Sequence, residues 1–210
     1  MARTRGWGGS PPADDAEARE RIIESAMRCL DRYGPAKTGL ADVATDLGVT
    51  RQTVYRYFST TDDLLTAAAL VASGAFAERM LTHLQGLTDP AEIIAEGIVW
   101  ATDRLPHEPH LSYILQPAQM VTAADRIMDT SGLSVGQALL SQLPIDWAAY
   151  DLTDRDLEEY AEVILRVFVS YLHSPDTTRS REERVAFLAR WVGGMIRVSD
   201  PAPPSATPVI

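Results

Sequence analysis

Apolar positions in this chain recur at intervals of three and four, the period of an amphipathic helix, and alternation at every second position is almost absent. Ile22, Ile23, Ala26, Cys29 and Leu30 form one such stripe, so a helix is expected over about 14–33, with Asp14, Asp15 and Glu17 at the positive end of its dipole. Gly34 and Pro35 end it. A short helix is expected over Leu40–Leu47, stopped by Gly48, and another over 51–58, with the Thr50 hydroxyl placed to cap it. Two short helices separated by Gly-Val-Thr read as a helix-turn-helix. A long helix follows from 61 to about 87, and the remaining pattern gives helices over 90–105, 110–115, 122–143, 153–173 and 181–198, divided by Pro106, Pro109, Pro117, Pro144 and Pro175. The fold class is therefore all-α. A three-helix domain at 14–60 precedes a larger helical domain at 61–199, while 1–13 and 200–210 lack an apolar period and are expected to be a disordered arm and tail.

The last two helices are apolar nearly all the way round. In 157–172 one stripe is Leu157, Ala161, Ile164, Phe168 and Leu172, and Tyr160, Val163, Val167 and Tyr171 lie beside it. In 185–196, Val185, Leu188, Val192 and Ile196 leave Phe187, Trp191, Gly194 and Met195 on another face. One stripe suffices to join a helix to its own core, so the second implies a second partner. The expectation is a homodimer in which these helices and their copies form a four-helix bundle, with Val163, Val167, Tyr171, Phe187, Trp191 and Met195 at the interface.

Composition narrows the function. With 46% hydrophobic residues the chain can bury a full core. No uninterrupted apolar run reaches the roughly 18 residues that cross a bilayer, and the N-terminus lacks the apolar region of a secretory signal, so a cytoplasmic protein with no membrane partner is expected. Cys29 is the only cysteine; an intrachain disulfide is impossible and a small buried thiol is the expected role. The net charge of −10 alone argues against nucleic acid, but its distribution does not. Residues 1–61 hold nine basic side chains against eight acidic ones, net +1, which leaves −11 on the remainder. Any DNA-binding surface should lie in the N-terminal part.

The segment from Thr38 to Phe58 meets that demand. Leu40, Val43, Ala44, Leu47, Val49, Val54 and Phe58 supply an inner face, and Gly48 permits the tight turn. The outward positions Arg51, Gln52, Thr53, Tyr55, Arg56 and Tyr57 contain no acid: arginine can pair with guanine edges, glutamine with adenine, and hydroxyls with phosphates. Thr38, Val43-Ala44, Gly48-Val49-Thr50, Thr53-Val54-Tyr55-Arg56-Tyr57-Phe58 and Leu64-Leu65 together resemble the N-terminal pattern of the tetracycline-repressor (TetR) family of regulators, over roughly residues 15–66. The resemblance implies about nine helices, dimerisation through the last two, and recognition helices roughly 34–36 Å apart on a palindromic double-stranded DNA operator. It makes Arg51, Gln52 and Thr53 the expected base readers and Thr38, Tyr55 and Tyr57 the expected phosphate contacts, with Thr50 and Thr61 completing the set. The family's usual lysine at the start of the fourth helix is replaced by Thr61, followed by Asp62 and Asp63. The resemblance also implies a small-molecule effector in an apolar cavity among the middle helices, where Phe76, Met80, Trp100, Tyr113, Leu115, Met120, Met128 and Trp147 are the large apolar candidates for its lining.

Other classes fit less well. His107, Glu108 and His110 are close in sequence, but Pro109 interrupts them and no cysteine or dense carboxylate group accompanies them, so a loop is expected there and no metal or cofactor. No nucleophilic triad, phosphate loop or paired-carboxylate motif can be located, which argues against an enzyme. A ligand-independent helical DNA-binding protein is the alternative to a ligand-released repressor.

Overall fold

The computed structural model describes residues 6–150 and 152–199, except for the side chains of 117, 118 and 197–199. Nine α-helices are present among them: α1 (Asp15–Tyr33), α2 (Leu40–Leu47), α3 (Arg51–Tyr55), α4 (Thr61–Leu84), α5 (Pro90–Arg104), α6 (Pro117–Ile127), α7 (Thr130–Ser141), α8 (Asp154–His173) and α9 (Arg181–Trp191). No described residue is in a strand. Side-chain caps fix several starts. Asp14 accepts the Glu17 N–H, Thr50 that of Thr53, Asp129 that of Gly132, Thr153 that of Asp156 and Ser180 that of Glu183.

Two corrections to the expected helices have local causes. The single helix expected over 122–143 is two, because the Asp129 carboxylate takes the Gly132 N–H at 2.8 Å and starts α7 afresh. A Cβ on Gly132 would overlap the carbonyls of Arg126 and Ile127, so the chain turns there in a space only glycine fits. The final helix stops at Trp191 and continues as 3-10 turns over Gly193–Ser199, where Gly193 lies directly on Ala91.

The described residues form two compact units. The first takes those up to Ala77 together with Arg104–Ala123; the second takes Glu78–Asp103 and those from Ala124 onward. This differs from the expected cut at 60/61. Leu64, Leu65 and Ala68 of α4 are buried in the same core as Ile22, Ala26 and Leu30 of α1, Val43 and Leu47 of α2, and Val54 and Phe58. Tyr113 returns to that core from the 3-10 turn Ser112–Leu115. Helix α4 is long and apolar enough to span a bilayer, but its Leu64, Leu65, Phe76, Met80 and Leu84 are buried in protein. The second unit has its own core, built from Ile94, Ala95, Ile98 and Val99 of α5, Leu140 of α7, Tyr160 and Ala161 of α8, and Leu188, Val192 and Ile196. Each fully buried aliphatic side chain contributes about 1.5–3 kcal/mol.

The N-terminal arm also departs from expectation. Residues 7–9 form a 3-10 turn, and Trp7 packs on the first core. Residues 1–5 and the tail at 200–210 lie outside the described residues.

Candidate nucleic-acid interface

The helix-turn-helix is built from the inside. Gly48 ends α2 in a left-handed conformation (φ 65°), which glycine adopts without strain. Two residues later Thr50 caps α3, its Oγ1 accepting the Thr53 N–H at 3.1 Å and lying 2.9 Å from the Thr53 hydroxyl. Val54, fully buried, pins α3 to the core, and Phe58 follows it inward with the Arg19 guanidinium 4.2 Å above its ring. Anchored on that side, α3 turns Arg51, Gln52 and Tyr55 outward, Tyr55 being 54% exposed.

Charge pairing inside the first unit sets which cations remain available. Asp46 receives Arg28 Nη2 at 2.8 Å and Nε at 3.1 Å, the Ser25 hydroxyl at 2.8 Å and Arg32 Nη1 at 3.3 Å. Burial would raise this carboxyl, but the Arg28 and Ser25 hydrogen bonds outweigh it and hold Asp46 below the usual carboxylate range. Arg21 is 3.7 Å from Glu17, and Arg56 is 3.5 Å from Asp15. Arg51 and Gln52 have no such partner among the described residues.

The expected DNA contacts divide accordingly. Arg51, Gln52, Thr53 and Tyr55 share one short helix. Thr50 and Thr53 have their hydroxyls engaged in the cap. Thr38 is only 4% exposed and its hydroxyl donates to the Gly34 carbonyl at 2.9 Å, so it closes the bend between α1 and α2 and is not presented outward. Tyr57 is half-buried; its hydroxyl donates to Asp15 at 2.8 Å and its carbonyl accepts from Arg19. Thr61 is partly buried at the start of α4. The acids beside it are committed within the protein: Asp63 and Thr60 cap each other's backbone N–H, and Asp62 accepts from the Tyr113 hydroxyl at 2.6 Å and from Gln119 at 3.4 Å. Burial and then Asp62 push the Tyr113 hydroxyl pKa up, keeping it a donor.

The other candidate sites separate between the units. Phe76, Tyr113, Leu115 and Met120 belong to the first; Met80, Trp100, Met128 and Trp147 belong to the second. Tyr113 is core, and Trp147 donates to the Leu140 carbonyl at 3.2 Å while meeting Tyr160 edge-on. Trp100 stacks on His83. Of the six expected interface residues, Val167, Tyr171, Phe187 and Trp191 line one open groove of about 400 Å³ between α8 and α9; Val163 is half-buried and Met195 is 47% exposed. Tyr160, read as part of the outer stripe, instead turns inward and donates to the Val192 carbonyl at 3.1 Å. His110 Nε2 is 2.9 Å from Asp31 Oδ1, and no group of three potential metal ligands occurs among the described residues. Sequence reasoning missed that Arg21 fastens the arm before α1, donating to the Trp7 carbonyl at 2.7 Å and the Ser10 carbonyl at 2.6 Å; the one available signal was a tryptophan in an otherwise polar, glycine-containing arm.

Residues 22–68 match the family described as bacterial regulatory proteins, tetR family. An uncharacterized HTH-type transcriptional regulator of Mycobacterium bovis is 25% identical over 167 residues, covering 80% of this chain and 86% of its own. The fold is similar to that of the TetR-family transcriptional repressor QsdR of R. erythropolis, with a TM-score of 0.61 and 20% identity over 86% of this chain and 96% of that one. It is also similar to that of RolR in complex with resorcinol, with a TM-score of 0.59 and 17% identity over 90% and 96%. Residues 22–68 thus carry the helix-turn-helix region of the tetR family, and the matches together support a DNA-binding transcriptional regulator of the TetR type.

Proposed function

We propose that the protein is a homodimeric repressor that holds a palindromic operator through the outward face of α3 and releases it when a small apolar molecule binds the second unit. The observation that carries the reading is α3 itself: Val54 fixes its inner side, and Arg51, Gln52 and Tyr55 stand exposed with Arg51 free of an internal carboxylate. An unpaired arginine beside a glutamine is the combination that reads guanine and adenine edges in a major groove. The groove between α8 and α9, with Trp191 63% exposed at its edge, supports pairing with a second copy. The resorcinol held by RolR supports a small, largely apolar effector, for which Met80, Trp100 and Met128 are the side chains we assign. Such a regulator acts in the cytoplasm, beside the DNA.

Selection of duplexes from a random-sequence pool should yield an inverted repeat with half-sites centred roughly 34–36 Å apart. Arg51→Ala and Gln52→Ala should each flatten discrimination at one half-site position by about 1–3 kcal/mol. Enrichment of no duplex, or an Arg51→Ala variant that ranks mismatched duplexes as the native protein does, would refute the reading. Release of the selected duplex by small apolar compounds tests the effector, and retention in the presence of every compound in a broad panel would favour a ligand-independent regulator.

A further inference from the structure

Helix α1 touches the segment after α3 with two side chains one turn apart, and they do different things. Arg19 donates to the Tyr57 carbonyl at 3.0 Å and lies 4.2 Å above the Phe58 ring, so it fastens the backbone of that segment. Asp15, one turn earlier on the same face of α1, meets the side chains instead. The Tyr57 hydroxyl donates to Asp15 Oδ1 at 2.8 Å, and Arg56 Nη2 lies 3.5 Å from the same oxygen. Arg56 also donates to the Tyr57 hydroxyl oxygen and lies over the Tyr57 ring, its guanidinium carbon 4.6 Å from the centroid. Two donors from the end of the helix-turn-helix thus converge on one carboxylate oxygen.

That carboxylate is unusual for its position in two respects. No acidic residue occurs between Asp46 and Asp62, so the stretch that carries the DNA-contact candidates has no acid of its own, and Asp15 is brought to it by another helix. The Asp15 side chain is 86% exposed and that of Arg56 66%, and an exposed ion pair of this kind adds little to the fold and is readily exchanged. The other acids of the same turn are engaged elsewhere. Asp14 accepts the Glu17 N–H at 2.8 Å, while Glu17 accepts the Ala13 N–H at 2.6 Å and lies 3.7 Å from Arg21. An arginine and a hydroxyl gathered on one anionic oxygen are also the donors that a phosphate of the DNA backbone takes.

We infer that Asp15 is an internal stand-in for a backbone phosphate of the duplex. It occupies Arg56 and Tyr57 in the free protein and yields them to a phosphate on binding, while Arg19 keeps the Tyr57 backbone in place. Asp15 thereby lowers affinity for all duplexes alike and leaves the base preference of Arg51 and Gln52 untouched. The inference rests on the DNA-binding reading above, and its test separates the two. Affinity for the selected inverted repeat is titrated against salt for the native protein, Asp15→Asn, Asp15→Ala, Arg56→Ala and Asp15→Asn/Arg56→Ala. Glu24→Gln is the control, removing one charge from an exposed position elsewhere on α1. Asp15→Asn and Asp15→Ala should each bind about two- to five-fold more tightly per bound chain, the gain from losing one exposed competing pair. Arg56→Ala should lose about 0.9 per bound chain from the slope of log K against log salt. In the Arg56→Ala background Asp15→Asn should lose most of its gain, because the cation it competes for is gone. Glu24→Gln should bind as the native protein does. Asp15 variants that bind no more tightly than the native protein, an equal gain in the Arg56→Ala background or in Glu24→Gln, or a native slope in Arg56→Ala would each overturn the inference while leaving the DNA-binding reading in place. A native protein that binds no duplex would remove both.

Discussion

Asp46 is the residue on which the geometry of the first unit most depends, since one carboxylate ties α1 to α2 through Ser25, Arg28 and Arg32. Its depressed pKa means that it contributes stability above the unfolded carboxylate value near 3.9 and loses it as pH falls through the still lower folded value. Acid unfolding of this unit should therefore set in only below about pH 4. Asp46→Asn should remove that acid dependence and cost about 1–2 kcal/mol at neutral pH, as a lower urea midpoint, because Arg28 and Arg32 are part-exposed and water replaces some of what they lose. An Asn variant as stable as the native protein at pH 7 would count against the clamp. Cys29 sits nearby, 1% exposed, with its thiol pKa raised by burial first and Asp46 second. The nucleophilic thiolate is therefore scarce and inaccessible, and alkylation by iodoacetamide should proceed only as fast as the unit unfolds. Fast labelling of the folded protein would contradict the structure.

At the scale of elements, what could be read from sequence was whatever a side chain announces locally. The caps Asp14, Thr50 and Thr153, the Gly48 turn, and the apolar stripe of α1 are each written within a few residues. What could not be read depended on distant neighbours. The Asp-Thr-Ser-Gly run at 129–132 is an N-cap signal, yet it lies inside an unbroken apolar period, and only the tight turn at Gly132 shows that the cap wins. The hydrogen bond from the Tyr57 hydroxyl to Asp15 is of that kind, because nothing in the segment around Tyr57 reveals a partner 42 residues earlier. Gly193 is the same kind of case: it follows Trp191 as a plausible helix position, but a Cβ would overlap Ala91 Cβ and Cα at the start of α5. Gly193→Ala should therefore push the end of α9 off α5 and destabilise the second unit by about 1–3 kcal/mol, where an ordinary helical Gly→Ala would stabilise by a few tenths or more. A melting temperature equal to or above the native one would show that this approach is not what fixes the α9 terminus.

For the molecule as a whole, charge and apolar surface are sorted in a way that suits two copies on one duplex. The sequence places −11 beyond residue 61 and +1 before it, so the acidic part repels phosphate and only the helix-turn-helix end can approach DNA. On the proposed reading, with Arg51 the cation of α3 that has no carboxylate partner and Arg21, Arg28, Arg32 and Arg56 paired inside the first unit, a single chain would make few phosphate contacts and affinity would come from joining two such ends. In the homodimer proposed above, the α8–α9 groove is the contact: Val167, Tyr171 and Phe187 line it, Arg179 covers one face of Phe187 at 4.4 Å, and Trp191 and Met195 are exposed, at 63% and 47%. An exposed tryptophan next to an apolar groove is the usual form of an interface anchor. Trp191→Asp should accordingly convert a dimer to a monomer in sedimentation, leave the helical signal intact because the side chain is not part of the second core, and reduce affinity for the inverted repeat far more than for a single half-site. If the variant sediments as the native protein does, the groove is not the dimer contact, and the second apolar stripe of the last two helices has another occupant.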